Sequence, residues 1–192
     1  MKSATKLVEF FSAMSAVDRF SQYRLINPES ILEHTGMVAI TTMMICKMID
    51  ADEETELKAL RHALCHDMDE ILTGDIPMPT KYSSQSMKSM IDEVADDNMM
   101  QIDVDYGTEF INDWRAGNVS RVIVKLADVI AVYYKARQEV DLFGNVLMKN
   151  AIGSLYGAIG RAMKNLEEYY PGASGLYDLV DEMMAWVERT EI

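Results

Sequence analysis

One stretch of the sequence, Arg61–Tyr82, concentrates side chains that can carry out chemistry. It reads RHALCHDMDEILTGDIPMPTKY and contains two of the three histidines of the chain, together with four acidic residues, a glycine, two prolines and a lysine. His66 and Asp67 are adjacent side chains that can bind a metal, and Glu70 follows three residues after the pair. A divalent cation, a general base and a phosphate contact can all be drawn from such a set, so we interpret the stretch as an active site.

A metal bound by His66 and Asp67 would need ligands from other parts of the chain. Side chains of consecutive helical residues point about 100° apart, so both can reach one ion only at the edge of a helix. His34 and Asp128 are candidates for the remaining ligands. Asp128 lies in a largely apolar stretch, where a carboxylate is costly to bury without a cation or a donor. A bond to a neighbouring backbone group or to an arginine would also satisfy it.

A rival ligand pair uses a different histidine. His62 and His66 are four residues apart, a spacing that places both on one face of a helix, as in many zinc sites. A histidine on an apolar face is also commonly a satisfied core or surface residue. Helical periodicity alone does not choose between the two ligand sets.

The composition limits the partners that the protein can have. A chain of 192 residues with 49% hydrophobic and 26% charged content is expected to form one globular domain. The apolar run Met37–Ile49 is shorter than the roughly 20 residues of a membrane span, and the segment MKSATKLVEF has no signal-peptide core. We therefore expect a cytoplasmic protein without a membrane partner, in which Cys46 and Cys65 are buried free thiols. The net charge of −13 disfavours nucleic acid, although a local metal can attract a small phosphorylated substrate.

Helical periodicity dominates the elements that must position these residues, which predicts an all-α fold. Ser30 and Glu33 form a predicted capping box, Asn118 or Ser120 is expected to cap a later helix, and Gly74 with two prolines predicts a loop. The predicted helices are Ser3–Phe20, Ser30–Asp50, Asp52–Asp67, Ser83–Gln101, Asp105–Ala116, Val119–Val140, Val146–Tyr169 and Gly175–Glu188.

The candidate residues resemble a known family. His34, then His66-Asp67, then Asp128 resemble the H…HD…D pattern of the HD-domain phosphohydrolase superfamily. The segment Cys65–Tyr82, with HDxxExxTGDxPxPxKY, resembles the small bacterial HD-domain 5′-deoxynucleotidases and is similar to phage-encoded HD-domain deoxyadenosine triphosphohydrolases. The motifs SxxEH, which ends at His34, and KLAD, which ends at Asp128, match the first and last metal motifs of the family.

The resemblance implies a compact, single-domain HD fold of about seven helices around one metal site. Residues 1–192 would form this domain, with a catalytic core at about residues 7–140. The helices of residues 145–190 would pack on the core or form an interface. Two late amphipathic helices lead us to expect a homo-oligomer.

The resemblance also implies the roles of the residues around the metal. One divalent ion, which the sequence does not identify among Co²⁺, Mn²⁺, Zn²⁺, Fe²⁺ and Mg²⁺, suits a mixed nitrogen and oxygen site. Glu70 is the expected general base or orienter of the attacking water, with a salt-bridge partner as the alternative. The resemblance favours His66 over His62 as a ligand. The metal ligands that it implies are His34, His66, Asp67 and Asp128.

The implied substrate contacts lie in two segments on either side of the metal ligands. Arg19 and Lys81 would bind phosphate, and Asp75 would accept a hydrogen bond from the sugar 3′-hydroxyl. Phe20 replaces a tryptophan that the family typically places beside the sugar, which leaves the selectivity for deoxyribose open. The full implied set is Arg19, Phe20, Gln22, Asp75, Pro79 and Lys81, of which Gln22 and Pro79 would flank the base. Solvated loop charges are the alternative for Arg19, Asp75 and Lys81.

The predicted reaction is hydrolysis at the α-phosphorus of a deoxynucleotide, which releases a deoxynucleoside. We expect a dNTP triphosphohydrolase of the dATP type, because Lys88 and Arg115 exceed the cations that a monophosphate needs. The first alternative is a 5′-deoxynucleotidase that acts on dNMP and releases phosphate. A non-catalytic, metal-bound regulatory module is a further alternative, which the intact Glu70 disfavours. A guanosine alarmone hydrolase is the last, and the TGDxPxPxK loop disfavours it.

Overall fold

The computed structural model describes residues 4–115, 117–171 and 175–188, and in these the regular structure is helical. Met1, Ser3, Ala116 and residues 189–190, which the predictions above include, lie outside the described residues. The α-helices are α1 (Ala4–Ala16), α2 (Ile31–Met48), α3 (Glu53–Cys65), α4 (Glu70–Thr73), α5 (Met78–Lys81), α6 (Gln85–Tyr106), α7 (Phe110–Trp114), α8 (Asn118–Asp141), α9 (Lys149–Glu167) and α10 (Gly175–Glu188), and a 3₁₀ turn spans Val146–Met148.

The all-α prediction is confirmed, and the helices that the sequence predicts least well are the short ones. Seven long helices are accompanied, within the described chain, by α4, α5 and α7, each of four or five residues. The loop predicted around the two prolines contains α5, because Pro79 lies in its first turn, where a missing N–H costs no helical hydrogen bond. A proline at this position begins a helix rather than breaking one.

The predicted start of the helix Asp105–Ala116 is wrong. Helix α6 continues to Tyr106 and ends at Gly107, whose φ of +67° favours glycine. The carboxylate of Asp103 then accepts hydrogen bonds from the backbone N–H groups of Phe110 and Ile111, at 2.8 and 3.0 Å. These bonds satisfy free donors at the start of α7, which therefore begins only at Phe110.

Two predicted helix starts have opposite outcomes. At α2 the Ser30 side chain accepts from the backbone of Glu33 and the Glu33 side chain accepts from that of Ser30, so the capping box is confirmed. At α8 the capping position is occupied by Gly117, which makes no side-chain bond, and Asn118 is already the first helical residue. The prediction that Asn118 or Ser120 caps this helix is therefore wrong.

The core lies between α2, α3, α8 and α9. Val38 and Ile45 of α2 and Ile123, Ile130 and Tyr133 of α8 are buried in it. Helix α9 lies along α8 and contributes its own buried residues, and α10 adds Leu176 and Val180. The C-terminal helices therefore pack on the core, whereas the extent of a catalytic domain and the homo-oligomer stay predictions.

A second, smaller core forms around α1. Phe10 and Met14 pack with Met99 and Ile102 of α6 and with Cys65 at the end of α3. Cys46 and Cys65 are both buried and free, as predicted. None of the helices in the described ranges combines the length and hydropathy of a membrane span.

Candidate metal centre and active site

Three ligand atoms converge from three different helices. His34 lies in the first turn of α2, His66 is the residue that ends α3, and Asp128 lies in the middle of α8. One nitrogen of each histidine and one oxygen of Asp128 all lie within 4.8 Å of one another. The shortest of these contacts joins His34 Nε2 and Asp128 Oδ1 at 3.2 Å. Two imidazoles and a carboxylate form a donor set that suits a divalent metal ion.

The tautomer of His66 suits metal binding. Its Nδ1 lies 2.7 Å from the carbonyl oxygen of Ala63, which can only accept, so Nδ1 carries the proton. The Nε2 atom is buried and has no hydrogen-bond partner among the described residues. Oδ2 of Asp67 lies 3.2 Å from this nitrogen. Burial lowers the pKa of His66, but the charge of Asp67 outweighs this effect and raises it, so a metal at Nε2 would replace a proton. The carbonyl of Ala63 fixes the orientation of the ring.

His34 and Asp128 are held in the protonation states that bind metals. Burial, and then the positive charge of Arg19, lower the pKa of His34 to about 4, so the imidazole is neutral at pH 7. Burial alone would raise the pKa of Asp128, but Lys125 and the bond with His34 outweigh it and hold the pKa well below its usual range. A neutral imidazole facing a carboxylate is what a metal ligand shell requires.

Asp67 lies beside these three ligands, in contact with Arg19. Its Oδ2 is 3.2 Å from Nε2 of His66 and 3.8 Å from Nε2 of His34. The same oxygen accepts a hydrogen bond from the Arg19 guanidinium. Asp67 is absent from the converging set of His34, His66 and Asp128 that the described residues form. Its role as a fourth ligand stays a prediction.

Glu70 opens α4 and is buried next to the same arginine. Its Oε2 lies 3.7 Å from the Arg19 guanidinium and makes no hydrogen bond within the described chain. Burial, and then the negative charge of Asp67, raise the pKa of Glu70 to about 9. With this pKa the carboxyl group of Glu70 holds its proton at pH 7 in the metal-free protein, and a divalent ion beside it would favour the ionised form that can accept a proton. Its role as the general base stays a prediction.

Arg19 is part of the site rather than a solvated loop charge. Only 12% of its side chain is exposed, and it contacts both Asp67 and Glu70. Burial would lower its pKa, but the surrounding carboxylates outweigh this effect and raise it. An arginine held between carboxylates at a metal ligand set can offer its fork to a phosphate that replaces them.

The other predicted substrate residues differ in their contacts and in their exposure. Asp75 is tied to the segment after Arg19, because its Oδ2 accepts from the backbone N–H of Ser21 at 3.1 Å. Phe20 has a φ of +59°, an unusual value for a bulky residue, and its ring contacts that of Tyr23. Gln22 and Pro79 are exposed, and Lys81 at the end of α5 is partly buried.

The rival residues have partners elsewhere. His62 Nδ1 lies 3.1 Å from the carbonyl oxygen of Asp113, so this histidine is a satisfied part of the packing between α3 and α7. Lys88 is hydrogen-bonded to Asp92 one turn along its own helix. Nη2 of Arg115 donates a hydrogen bond to Oδ2 of Asp96 at 2.8 Å. The two cations that favoured a triphosphate are thus engaged with acidic residues of their own.

One residue beside the ligands was not anticipated from the sequence. Glu29 is 8% exposed, and its Oε2 lies 3.7 Å from Nδ1 of His34, on the side of the ring away from Asp128. Burial raises the pKa of this carboxyl group to about 7. The available signal was its place directly before the capping Ser30, which forces it to lie near the first turn of α2.

A second buried group was also missed, and we call Lys135, Glu139 and Asn145 the loop clamp. Glu139 accepts hydrogen bonds from the backbone N–H groups of Ile26 and Asn27 at 2.8 and 2.9 Å. It also accepts one from Asn145 and forms an ion pair with Lys135. The clamp ties the segment that leads to Glu29 onto α8.

Known proteins are similar to this chain in sequence and in fold. Residues 6–169 match the family described as 5′-deoxynucleotidase YfbR-like. A 5′-deoxynucleotidase of Shewanella oneidensis is 28% identical over 149 residues, which cover 69% of this chain and 73% of the relative.

Solved structures agree on the fold. An HD-domain phosphohydrolase of Listeria innocua superposes with a TM-score of 0.70 at 20% identity, covering 97% of this chain and 93% of its own. The HD phosphohydrolase of cyanophage S-2L, bound to dA and one catalytic Zn²⁺ ion, has a TM-score of 0.62 at 17% identity, with coverage of 99% and 96%. The predicted resemblance and the predicted enzyme class, a metal-dependent phosphohydrolase, are confirmed. With most of its length matched, the chain belongs to the YfbR-like 5′-deoxynucleotidase family.

Proposed function

We propose that this protein is a metal-dependent 5′-deoxynucleotidase, which hydrolyses a deoxynucleoside 5′-monophosphate to the deoxynucleoside and phosphate. The observation that carries the proposal is the convergence of a metal ligand set, a buried carboxyl group and a buried arginine around Asp67. The relatives named 5′-deoxynucleotidases support the same substrate class. Asp67 would complete the ligand shell once Arg19 turns from it to the phosphate.

The chemistry divides between the ion and the protein. A divalent ion at His34, His66 and Asp128 supplies Lewis acidity toward the phosphate group. Glu70 takes a proton from the attacking water, whose oxygen forms a new bond to phosphorus. The bond between phosphorus and the 5′-oxygen breaks, and the leaving oxygen takes up a proton to give the nucleoside hydroxyl. Arg19 holds two phosphate oxygens with its planar fork and balances their charge.

The number of available cations favours a monophosphate over a triphosphate. Arg19 and Lys125 are the cations paired with carboxylates of the site, Asp67 and Asp128. Together with a divalent ion they balance the charge of about −2 on a phosphate monoester at pH 7. Lys88 and Arg115 are bound to acidic residues outside the site. We therefore adopt the monophosphate alternative in place of the triphosphohydrolase expected from the sequence, and the triphosphate reaction becomes an outcome of the test.

The sugar contacts complete the proposal. Asp75 is anchored by Ser21 directly after Arg19 and Phe20, so the phosphate and sugar contacts are mechanically connected. We propose that Asp75 accepts a hydrogen bond from the 3′-hydroxyl, while the Phe20 ring crowds the position of a 2′-hydroxyl. Lys81 would add a phosphate contact, and the exposed Gln22 and Pro79 would face the base.

The test is a product analysis with matched substrates. Each dNMP, NMP and dNTP is incubated with the protein and Mn²⁺, Co²⁺, Zn²⁺ or Mg²⁺, and nucleoside, phosphate, pyrophosphate and triphosphate are separated by chromatography. We expect deoxynucleoside and phosphate from dNMP, and less product from NMP. Triphosphate released from dNTP would replace the proposal with the triphosphohydrolase. No nucleoside from any substrate would refute both.

A further inference from the structure

Two buried polar atoms without hydrogen-bond partners face each other behind the metal ligands. Oε2 of Glu29 and Nδ1 of His34 are 3.7 Å apart, and neither has a partner within the described residues. The opposite nitrogen of the same ring, Nε2, faces Asp128 at 3.2 Å. The imidazole of His34 therefore lies between two carboxylates, one on the side of the metal site and one behind it.

The position of Glu29 is set by the backbone. An antiparallel bridge joins Asp18 and Ser30, and the backbone N–H of Arg19 donates to the carbonyl of Glu29 at 2.8 Å. The next residue, Ser30, caps α2, four residues before His34. Two positive side chains act on this carboxylate, and neither makes a hydrogen bond to its Oε2. Arg19 binds Asp67, with its Nε left unpaired, and Lys135 binds the carbonyl of Asn27 and Glu139.

The energetics of burial favour a bond between these two atoms. A buried polar group without a partner is costly, and here both members of a possible donor–acceptor pair carry that cost. A shift of about 1 Å brings 3.7 Å into hydrogen-bond range. Histidines that bind metals commonly donate their second N–H to a carboxylate, which fixes the tautomer and the ring orientation.

We propose that Glu29 is a positioning residue that accepts the Nδ1–H of His34 and thereby presents the Nε2 lone pair to the metal. His66 achieves the same with a backbone carbonyl, that of Ala63, at 2.7 Å. The two histidines are thus held by different acceptors. Because a carboxylate accepts its Nδ1–H, Nε2 of His34 is a more basic metal ligand than Nε2 of His66.

This inference rests on the metal site of the proposed function, but its experiments do not measure turnover. The chain has three histidines, so long-range ¹H–¹⁵N spectra of the zinc-loaded and metal-free protein are simple to assign. In the metal-free protein the 3.2 Å contact with Asp128 favours a proton on Nε2 of His34, and we expect zinc to move it to Nδ1. A proton on Nε2 of His34 in the zinc-loaded protein would overturn the proposal, and this measurement needs no variant.

Variants separate the acceptor from the shape of the side chain. Glu29→Met keeps a similar volume without an acceptor, and we expect its Zn²⁺ affinity, measured against a competing chelator, to fall about 10- to 100-fold. Glu29→Gln keeps an acceptor oxygen and should regain part of that loss. Glu33→Gln, one residue from His34 but exposed and able to keep the capping box, is the matched control and should bind like the wild type.

The outcomes distinguish this inference from the proposed function. Wild-type Zn²⁺ affinity in Glu29→Met would show that Glu29 only fills space. Equal losses in the Met and Gln variants would show that an acceptor oxygen at this position does not support Zn²⁺ binding, and would also overturn the proposal. If Glu29→Met does not fold, the wild-type tautomer decides. A protein with the expected tautomer and affinities but no nucleotidase activity would refute the proposed function and leave the role of Glu29 intact.

Discussion

Helix α8 contributes residues to two buried groups of charged side chains, and the two groups differ in how their polar atoms are satisfied. The loop clamp of Lys135, Glu139 and Asn145 binds every charge it buries, since both oxygens of Glu139 accept backbone N–H groups. Around Asp128 the opposite holds. Seven buried side-chain atoms of the described residues have no partner, and five of them belong to Arg19, Glu29, His34, His66 and Glu70.

The difference separates structure from function. Unpaired buried polar groups are expensive, so a fold retains them where a ligand will use them. A satisfied network of similar charge density stabilises the chain and offers nothing to a ligand. Both groups include a residue of α8, and both contain buried charged side chains. The number of unpaired atoms, rather than charge or burial, therefore distinguishes the candidate active site from the loop clamp.

The largest expected contrast comes from removing one carboxylate in each group. Glu70→Gln should lower kcat by about 10²- to 10⁴-fold, because the attacking water loses its base. It should keep the metal and the free energy of unfolding, because Oε2 of Glu70 has no bond to lose. Steady-state kinetics, metal analysis and urea denaturation measure the three effects, with Glu33→Gln as the control. Full activity in Glu70→Gln would show that another group is the base.

Removing a carboxylate from the loop clamp should lower the stability of the protein. Glu139→Ala leaves the charge of Lys135 buried without its partner, which typically costs about 3–5 kcal/mol of stability. The double variant Lys135→Met with Glu139→Met removes both charges and should be more stable than Glu139→Ala. Urea denaturation measures both. A loss below about 1 kcal/mol in Glu139→Ala, the range of a surface pair, would contradict the assignment of a buried brace.

His62 and His66 allow a structural residue and a candidate metal ligand to be compared, and His62 is tested through the pH dependence of stability. Burial lowers the pKa of His62 to about 4, from an ordinary value of 6.5, although it is bonded to the carbonyl of Asp113. The unfolded state therefore binds more protons between pH 4 and 6.5, and stability falls as the pH decreases through this range. His62→Gln should reduce this fall by about 3 kcal/mol. It should leave Zn²⁺ affinity unchanged, whereas His66→Gln should abolish binding. Lost Zn²⁺ affinity in His62→Gln would restore the rival ligand pair.

The smallest expected effect tests whether local capping contributes to the site. Ser30→Ala removes the side-chain cap of α2 and should cost about 1 kcal/mol of stability. Zn²⁺ affinity should not change, because the backbone bridge with Asp18 still holds the start of the helix. Ser84→Ala, which removes the equivalent cap of α6, is the matched control. A loss of Zn²⁺ affinity only in Ser30→Ala would show that the cap positions His34.

Features carried by nearby residues were predicted well. The capping box needs only Ser30 and Glu33, and the long helices follow from repeated apolar residues three and four apart. The short helices α4 and α5 were missed, and the start of α7 was wrong because it depends on Asp103 reaching seven and eight residues ahead. Motif spacing and resemblance identified His34, His66 and Asp128 as candidates, and the fold brings these three together.

The sequence by itself determined the helical class and the residue types of the metal site, because periodicity and motifs are local patterns. Only the tertiary structure decided which charges meet. His34 and Asp128 are 94 positions apart, and Glu139 reaches a backbone group 113 positions away. Pairing over such distances depends on how α2 and α8 pack. Glu29, directly before the capping Ser30 of α2, lies 3.7 Å from His34 on the side of the ring away from Asp128.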